Sequence, residues 1–153
     1  MGVLGLILML ALSVVPLPEA VAPFRPDWVA VALLYGCFAA PRKFSLITAF
    51  LCGLALDSLT GSLLGQHALA LLVIVYLAER FYLRIRVFPL SQLTVVIMAL
   101  LALHQFMLFW IDGVAGRTVP LVERWGPVVT GTIVWALLTA LTERGRREAQ
   151  AYI

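Results

Sequence analysis

The chain has 153 residues, of which 63% are hydrophobic and only 12% charged, and its mean hydropathy is +1.03. Soluble domains carry about 25% charged residues, so this composition excludes a soluble globular enzyme. The balance of 11 Lys and Arg against 8 Asp and Glu is mild, and such an excess usually sets membrane topology rather than binding nucleic acid. Because one spanning helix needs roughly 20 apolar residues, there is room for five or six spans and no separate soluble domain.

Prolines, glycines and charged residues divide the chain into six apolar segments, which we interpret as membrane spans. Before the second segment, Asp27 is suited to cap the helix that follows it. The predicted spans are Met1 to Leu17, Trp28 to Ala40, Phe44 to Leu59, Leu63 to Ala78, Leu90 to Ile111 and Gly126 to Leu141. The sequence therefore predicts an all-α, polytopic membrane helix bundle that forms a single domain over residues 1–153.

The connections and the tail carry most of the charge. Glu79 to Pro89 is predicted as a basic connection or a helical extension beyond the membrane, and Asp112 to Trp125 as a loop. The second, third and fourth spans are short for a hydrocarbon core of ~30 Å. The tail from Glu143 to Arg147 is interpreted as a signal that fixes topology, with docking to lipid head groups or protein as the alternative.

Basic residues orient the predicted bundle, since Lys and Arg are retained on the cytoplasmic side. With the N-terminus inside, cytoplasmic segments hold eight basic residues and the outer loops three. Both termini are therefore predicted in the cytoplasm. An alternative for the first segment is a signal peptide with its apolar core from Leu4 to Val15 and a cleavage site at Ala20 and Ala22, which would leave five spans.

Small or polar residues recur at every fourth position of the third span, on one face of a helix. Small residues there allow two helices to approach closely. Asp57 is the ionisable residue nearest the interior of a span, and we interpret it as a cap or an interhelical acceptor, with a proton or ligand site as the alternative. The stripe is Ser45, Ala49, Gly53 and Asp57, and the spacing continues to Gly61 and Gly65, where we expect the chain to turn. Four residues are therefore predicted as helix-packing or partner-interface positions: Gly53, Asp57, Gly61 and Gly65.

Polar side chains also gather at the outer end of the predicted bundle. The predicted topology brings two aspartates, two glutamines and two histidines to this level, where they could line a water-accessible cavity. The alternative is that each of them satisfies a neighbouring helix separately. The six residues are Asp57, Gln66, His67, His104, Gln105 and Asp112.

The sequence predicts no catalytic, metal or cofactor site. Two histidines in different spans supply too few ligands for zinc. Ser58 and Ser62 precede His67, but Ser with His at loop spacing arises too easily by chance to indicate a nucleophile. Cys37 and Cys52 are predicted to fill the core rather than to form a disulfide.

Five motifs occur in order along the chain: Pro26-Asp27-Trp28, Pro41-Arg42, Gly53 to Asp57, Gly61 to Leu69, and Phe109 to Gly113. Together they resemble the family of the rod shape-determining protein MreD. The resemblance implies a non-enzymatic, multi-pass component of the bacterial inner membrane that acts in the elongation machinery for peptidoglycan synthesis. It also implies a fold similar to the substrate-binding membrane subunits of energy-coupling-factor transporters.

The same resemblance implies the partners. They are MreC, the glycosyltransferase RodA, a class B penicillin-binding transpeptidase and, indirectly, the MreB filament, in contact with membrane lipid and without nucleic acid or a cofactor. The expected function is a scaffold that binds MreC and the synthase. The alternative is a transport subunit that binds a small molecule or lipid in the outer polar cavity.

Overall fold

The computed structural model describes residues 3–16, 18, 20, 22–39, 46–85 and 87–151. Within these ranges the chain is all-helical and contains no strand, which confirms the predicted fold class at that level. The helices are α1 (Val3–Val14), α2 (Trp28–Ala39), α3 (Leu46–Thr60), α4 (Gln66–Ile85), α5 (Leu90–Val114) and α6 (Leu121–Ala151), with a short 3-10 helix at Ala22–Phe24.

Helix α2 lies at the centre of the bundle. Its sequence is apolar on all sides, and eight of its twelve residues are buried, as expected for a helix surrounded by other helices. It contacts α1, α4, α5 and α6. Asp27 caps it as predicted, because Asp27 Oδ1 accepts the backbone N–H of Ala30 at 3.2 Å.

Most helices that follow one another in the chain pack side by side, but α2 and α3 do not. The main contacts join α3 to α4, α4 to α5, and α5 to α6. Near the middle of the bundle, the Trp135 ring of α6 meets the Phe38 ring of α2 edge-on, with centroids 6.5 Å apart. Cys37 and Cys52 are free and buried in the same core, as predicted.

In the part of the chain that the structure describes, three helices are long and apolar enough to cross a membrane: Gln66–Arg84 in α4, Leu90–Val114 in α5 and Leu121–Thr142 in α6. Helices α2 and α3 have 12 and 15 residues. At 1.5 Å per residue they measure about 18 and 22 Å, less than the ~30 Å of a hydrocarbon core. The six-span arrangement therefore stays a prediction, as does the orientation of the termini.

The predicted fourth span starts three residues too early, whereas the helical extension predicted after it is present. Helix α4 begins at Gln66 rather than Leu63, because the chain turns just before it and Gly65 has a φ of +98°. The helix then continues to Ile85, so the first part of the segment from Glu79 to Pro89 is a helical extension.

The predicted loop from Asp112 to Trp125 is also too long. Helices α5 and α6 both extend into it and leave only residues 115–120 between them. Gly116, with a φ of +72°, supplies the left-handed turn after α5. Asp112 and Arg124 consequently lie on two neighbouring helices rather than in a loop.

Some predicted features lie outside the described residues. They are the basic residues Arg42, Lys43 and Arg86, the first position of the stripe at Ser45, and the side chains of the tail from Glu143 to Arg147. The interpretations that rest on them stay predictions.

Candidate functional site

Asp57 lies near the end of α3 and joins it to the start of α4. The residue is 1% exposed. Its Oδ1 accepts hydrogen bonds from Ser62 Oγ at 2.7 Å and from the backbone N–H of His67 at 2.9 Å, and its Oδ2 accepts the backbone N–H of Gly65 at 2.7 Å. The first N–H groups of a helix have no partner within that helix. A carboxylate supplied by α3 therefore caps α4 and interacts favourably with its dipole.

His67 is oriented by the same carboxylate. Its Nδ1 lies 2.8 Å from Asp57 Oδ1, and because a carboxylate only accepts, this contact favours the tautomer protonated at Nδ1. Ser62 Oγ lies 3.3 Å from the same ring nitrogen. In a Ser-His-Asp triad the serine and the aspartate contact opposite ring nitrogens, so this group has the wrong geometry for serine nucleophilic catalysis.

The glycines of the predicted packing stripe divide into two kinds. Gly53 lies against α4, where a Cβ would stand 2.5 Å from the backbone nitrogen of Ala68 and would overlap its Cα. Gly61 and Gly65 have φ values of +65° and +98°, and a Cβ on either would meet no atom within 4 Å. For these two, helix packing is the wrong interpretation, because they form the turn between α3 and α4. A partner interface there stays a prediction.

A second polar cluster joins α4, α5 and α6. Arg124 is 7% exposed, and its Nη2 donates to Asp112 Oδ2 in a buried ion pair. Gln66, at the start of α4, donates through Nε2 to Asp112 Oδ1 at 2.8 Å. One carboxylate is thus held by side chains from two other helices.

Two polar atoms of this second cluster lack partners. Neither Gln66 Oε1 nor Arg124 Nε has a hydrogen-bond partner among the described residues. An unpaired buried polar group costs about 1–3 kcal/mol, which is why such groups are normally satisfied.

His104 lies on α5 behind these clusters and is fully enclosed. Its Nδ1 is 3.1 Å from Asp27 Oδ2, and its ring centroid is 6.4 Å from that of His67. Neither ring nitrogen has an aligned hydrogen-bond partner within the described part of the chain. His104 thus connects the α2 cap to the polar interior, while its neighbour Gln105 reaches a cavity.

Two adjoining cavities, of about 420 and 520 Å³, open at this end of the bundle. We call them together the chamber; both are lined by His67, Glu123 and Arg124. Four of the six residues predicted to line a cavity do so here: Gln66, His67, Gln105 and Asp112. The other two, Asp57 and His104, are not in its lining and support the residues that are.

Comparison with known proteins identifies the family to which the chain belongs. Residues 1–142 match the family model described as rod shape-determining protein MreD. The chain belongs to the MreD family. It is 31% identical over 101 residues to the curated rod shape-determining protein MreD of Haemophilus influenzae, a match that covers 66% of this chain and 62% of that protein. The match therefore spans less than two thirds of the relative's length. No solved structure matches the chain.

Membership of the MreD family indicates a structural role in determining rod shape and a membrane location. The apolar helices α4, α5 and α6 agree with that location. The predicted similarity to transporter subunits is not tested by these comparisons and stays a prediction.

Sequence reasoning missed several residues of the chamber. It counted Arg124 as a basic residue of an outer loop, and it assigned no role in the cavity to Glu123 or Arg117. One signal for Arg124 was available, since an arginine in the first turn of a helix opposes the helix dipole and needs a nearby carboxylate. Asp112 is that carboxylate.

Proposed function

We propose that this chain is a non-enzymatic, multi-pass scaffold of the bacterial inner membrane that binds MreC and the peptidoglycan synthase and so maintains rod shape. The observation that carries this proposal is the match of residues 1–142 to the MreD family, which extends from α1 into the apolar part of α6. Most of the described residues belong to the helices of one bundle. Partners would therefore contact helix faces and short connections.

The proposal includes six spans with both termini in the cytoplasm. Residues from the ends of α1 and α3 and from the beginnings of α2, α4 and α6 line the same cavity, and this alternation is the one that consecutive spans require. The basic residues Arg80 and Arg84 lie near the other end of α4, which the topology assigns to the cytoplasmic side. The chamber would then face the periplasmic side.

Within the complex, MreC is the proposed direct partner. RodA and the class B penicillin-binding transpeptidase form the synthase that the scaffold would position, and the MreB filament would be reached indirectly. Helices associate in membranes through close packing and interhelical hydrogen bonds. The α3–α4 pair shows both features, through Gly53 and through the Asp57 cap.

A pull-down tests the proposal. The tagged chain would be extracted from its native membrane in mild detergent, and the bound proteins would be identified by mass spectrometry, with an unrelated tagged multi-pass protein as the control. We expect MreC and the synthase to be enriched over the control. Recovery of an ATP-hydrolysing transporter module without cell-wall proteins would contradict the scaffold and support the transport-subunit alternative.

A further inference from the structure

An apolar groove lies beside the chamber, between α3, α4 and α5. Its volume is about 660 Å³, and its walls include Phe50, Leu64, Leu69 and Leu72. Leu64 is 78% exposed, so the groove is open to the surroundings of the bundle. Between Gln66 and Leu72 it follows α4 for about 9 Å, at 1.5 Å per residue.

Gln66 lines both the groove and the chamber. At two neighbouring points, adjacent residues line different cavities. Leu63 lines the groove and Ser62 lines the chamber, while Ile111 lines the groove and Asp112 lines the chamber. Apolar lining thus changes to polar lining within one residue, which fits a molecule with a hydrocarbon chain and a polar head.

The chamber offers hydrogen-bond donors to an anion. Of the five N–H donors of Arg124, only those on Nη2 meet an acceptor among the described residues. Arg117 brings a second guanidinium to the same cavity. Guanidinium groups form strong, charge-assisted hydrogen bonds with phosphate.

Two of the carboxylates near the chamber are already engaged by the chain itself. Asp57 is occupied by the cap of α4, and Asp112 is occupied by Gln66 and Arg124. Glu123 lines both cavities and supplies an acceptor there. It suits a hydroxyl or ammonium group on the same head group.

We propose that the groove and the chamber together bind one phosphate-bearing membrane lipid. The phosphate lies against Arg124 and Arg117, a head-group hydroxyl or ammonium lies at Glu123, and one hydrocarbon chain follows the groove along α4. This site does not depend on whether the chain binds MreC.

Native mass spectrometry of the purified full chain in detergent tests the proposal. The added probes are dioleoylphosphatidylglycerol, dioleoylglycerol, which lacks the phosphate, and inorganic phosphate. We expect one phosphatidylglycerol to remain bound, dioleoylglycerol to bind roughly tenfold more weakly, and millimolar inorganic phosphate not to displace the lipid. Equal binding of the two lipids would overturn the head-group assignment, and displacement by inorganic phosphate alone would overturn the two-part site.

Two pairs of variants locate the site. Arg117→Gln should weaken phosphatidylglycerol binding roughly tenfold, whereas Arg84→Gln, which removes the same charge far from the chamber, should not. Leu69→Trp should obstruct the groove and weaken binding severalfold, whereas Leu137→Trp, on the exposed surface of α6, should leave it unchanged. All four side chains are at the surface, and size-exclusion profiles would verify folding. Equal effects of test and control variants would overturn the proposal.

Discussion

Two polar clusters lie at the same end of the bundle and differ in how completely they are satisfied. In the first, both carboxylate oxygens of Asp57 accept hydrogen bonds from the turn and the start of α4. In the second, Gln66 Oε1 and Arg124 Nε lack partners among the described residues. The first cluster is explained by its role in joining two helices. The second keeps two enclosed polar atoms unpaired, at a cost of about 1–3 kcal/mol each.

We expect the largest effect from substituting Gly53, where α3 packs closely against α4. Gly53→Leu forces a side chain into the backbone of Ala68, and we expect a loss of about 3 kcal/mol or more in the free energy of unfolding. Thermal unfolding in detergent and recovery of MreC would both be measured. Leu54→Ile, on a neighbouring face, is the matched control and should cost less than about 1.5 kcal/mol. Equal stability and equal MreC recovery in the two variants would contradict the packing role of Gly53.

Variants of the Asp112–Arg124 pair separate the contribution of the second cluster to stability from its contribution to lipid binding. Arg124→Met leaves Asp112 buried without its counter-charge, so we expect a loss of about 3 kcal/mol. Combining it with Asp112→Leu replaces the pair by apolar side chains and should restore most of the stability. The double variant should still fail to retain phosphatidylglycerol. A double variant as unstable as the single one, judged by thermal midpoint, would show that the pair itself stabilises the bundle.

Substitutions at Asp57 test whether the first cluster is structural. Asp57→Ala removes the acceptor of two backbone N–H groups, and we expect a loss of about 1–3 kcal/mol. Asp57→Asn keeps one acceptor oxygen and removes the charge, so its loss should be smaller and cells should stay rod-shaped. Cell shape, protein level and MreC recovery would be compared. Round cells with normal protein level and intact MreC binding in the Asp57→Asn strain would indicate a proton or ligand role instead.

We expect the smallest change in stability from a substitution in the turn between α3 and α4. Gly65→Ala places a Cβ at a φ of +98° and should cost about 1 kcal/mol, although no neighbouring atom is touched. Gly113→Ala, in helical backbone with the same open space, should be neutral or stabilising by up to about 1 kcal/mol. Thermal midpoints would be compared in one detergent. Equal shifts would contradict the assignment of Gly65 to a backbone role.

Local features of this fold are readable from the sequence. Runs of apolar residues between prolines and charges predict all six helices, since burial and helix breaking are properties of neighbouring residues. The cap at Asp27 is predictable for the same reason, because its acceptor lies three residues away from the donor.

Features that depend on which helices meet cannot be predicted in this way. The sequence predicts the turn after Leu59, and α3 ends at Thr60, but nothing in it shows that Asp57 accepts the backbone N–H groups of Gly65 and His67 across that turn. The Asp112–Arg124 pair depends on how α5 packs against α6, across a connection whose ends the sequence misplaces. The unpaired hydrogen-bonding atoms of Gln66 and Arg124 can be identified only after that packing is known.

The most direct test concerns the side of the membrane on which the chamber opens. Topology reporters would be fused after each of six positions along the chain. We expect fusions after Lys43, Arg86 and Arg147 to report the cytoplasm, and fusions near Asp27, Ser62 and Gly116 to report the periplasm. A C-terminus that reports the periplasm would contradict the six-span scaffold with an outward-facing chamber.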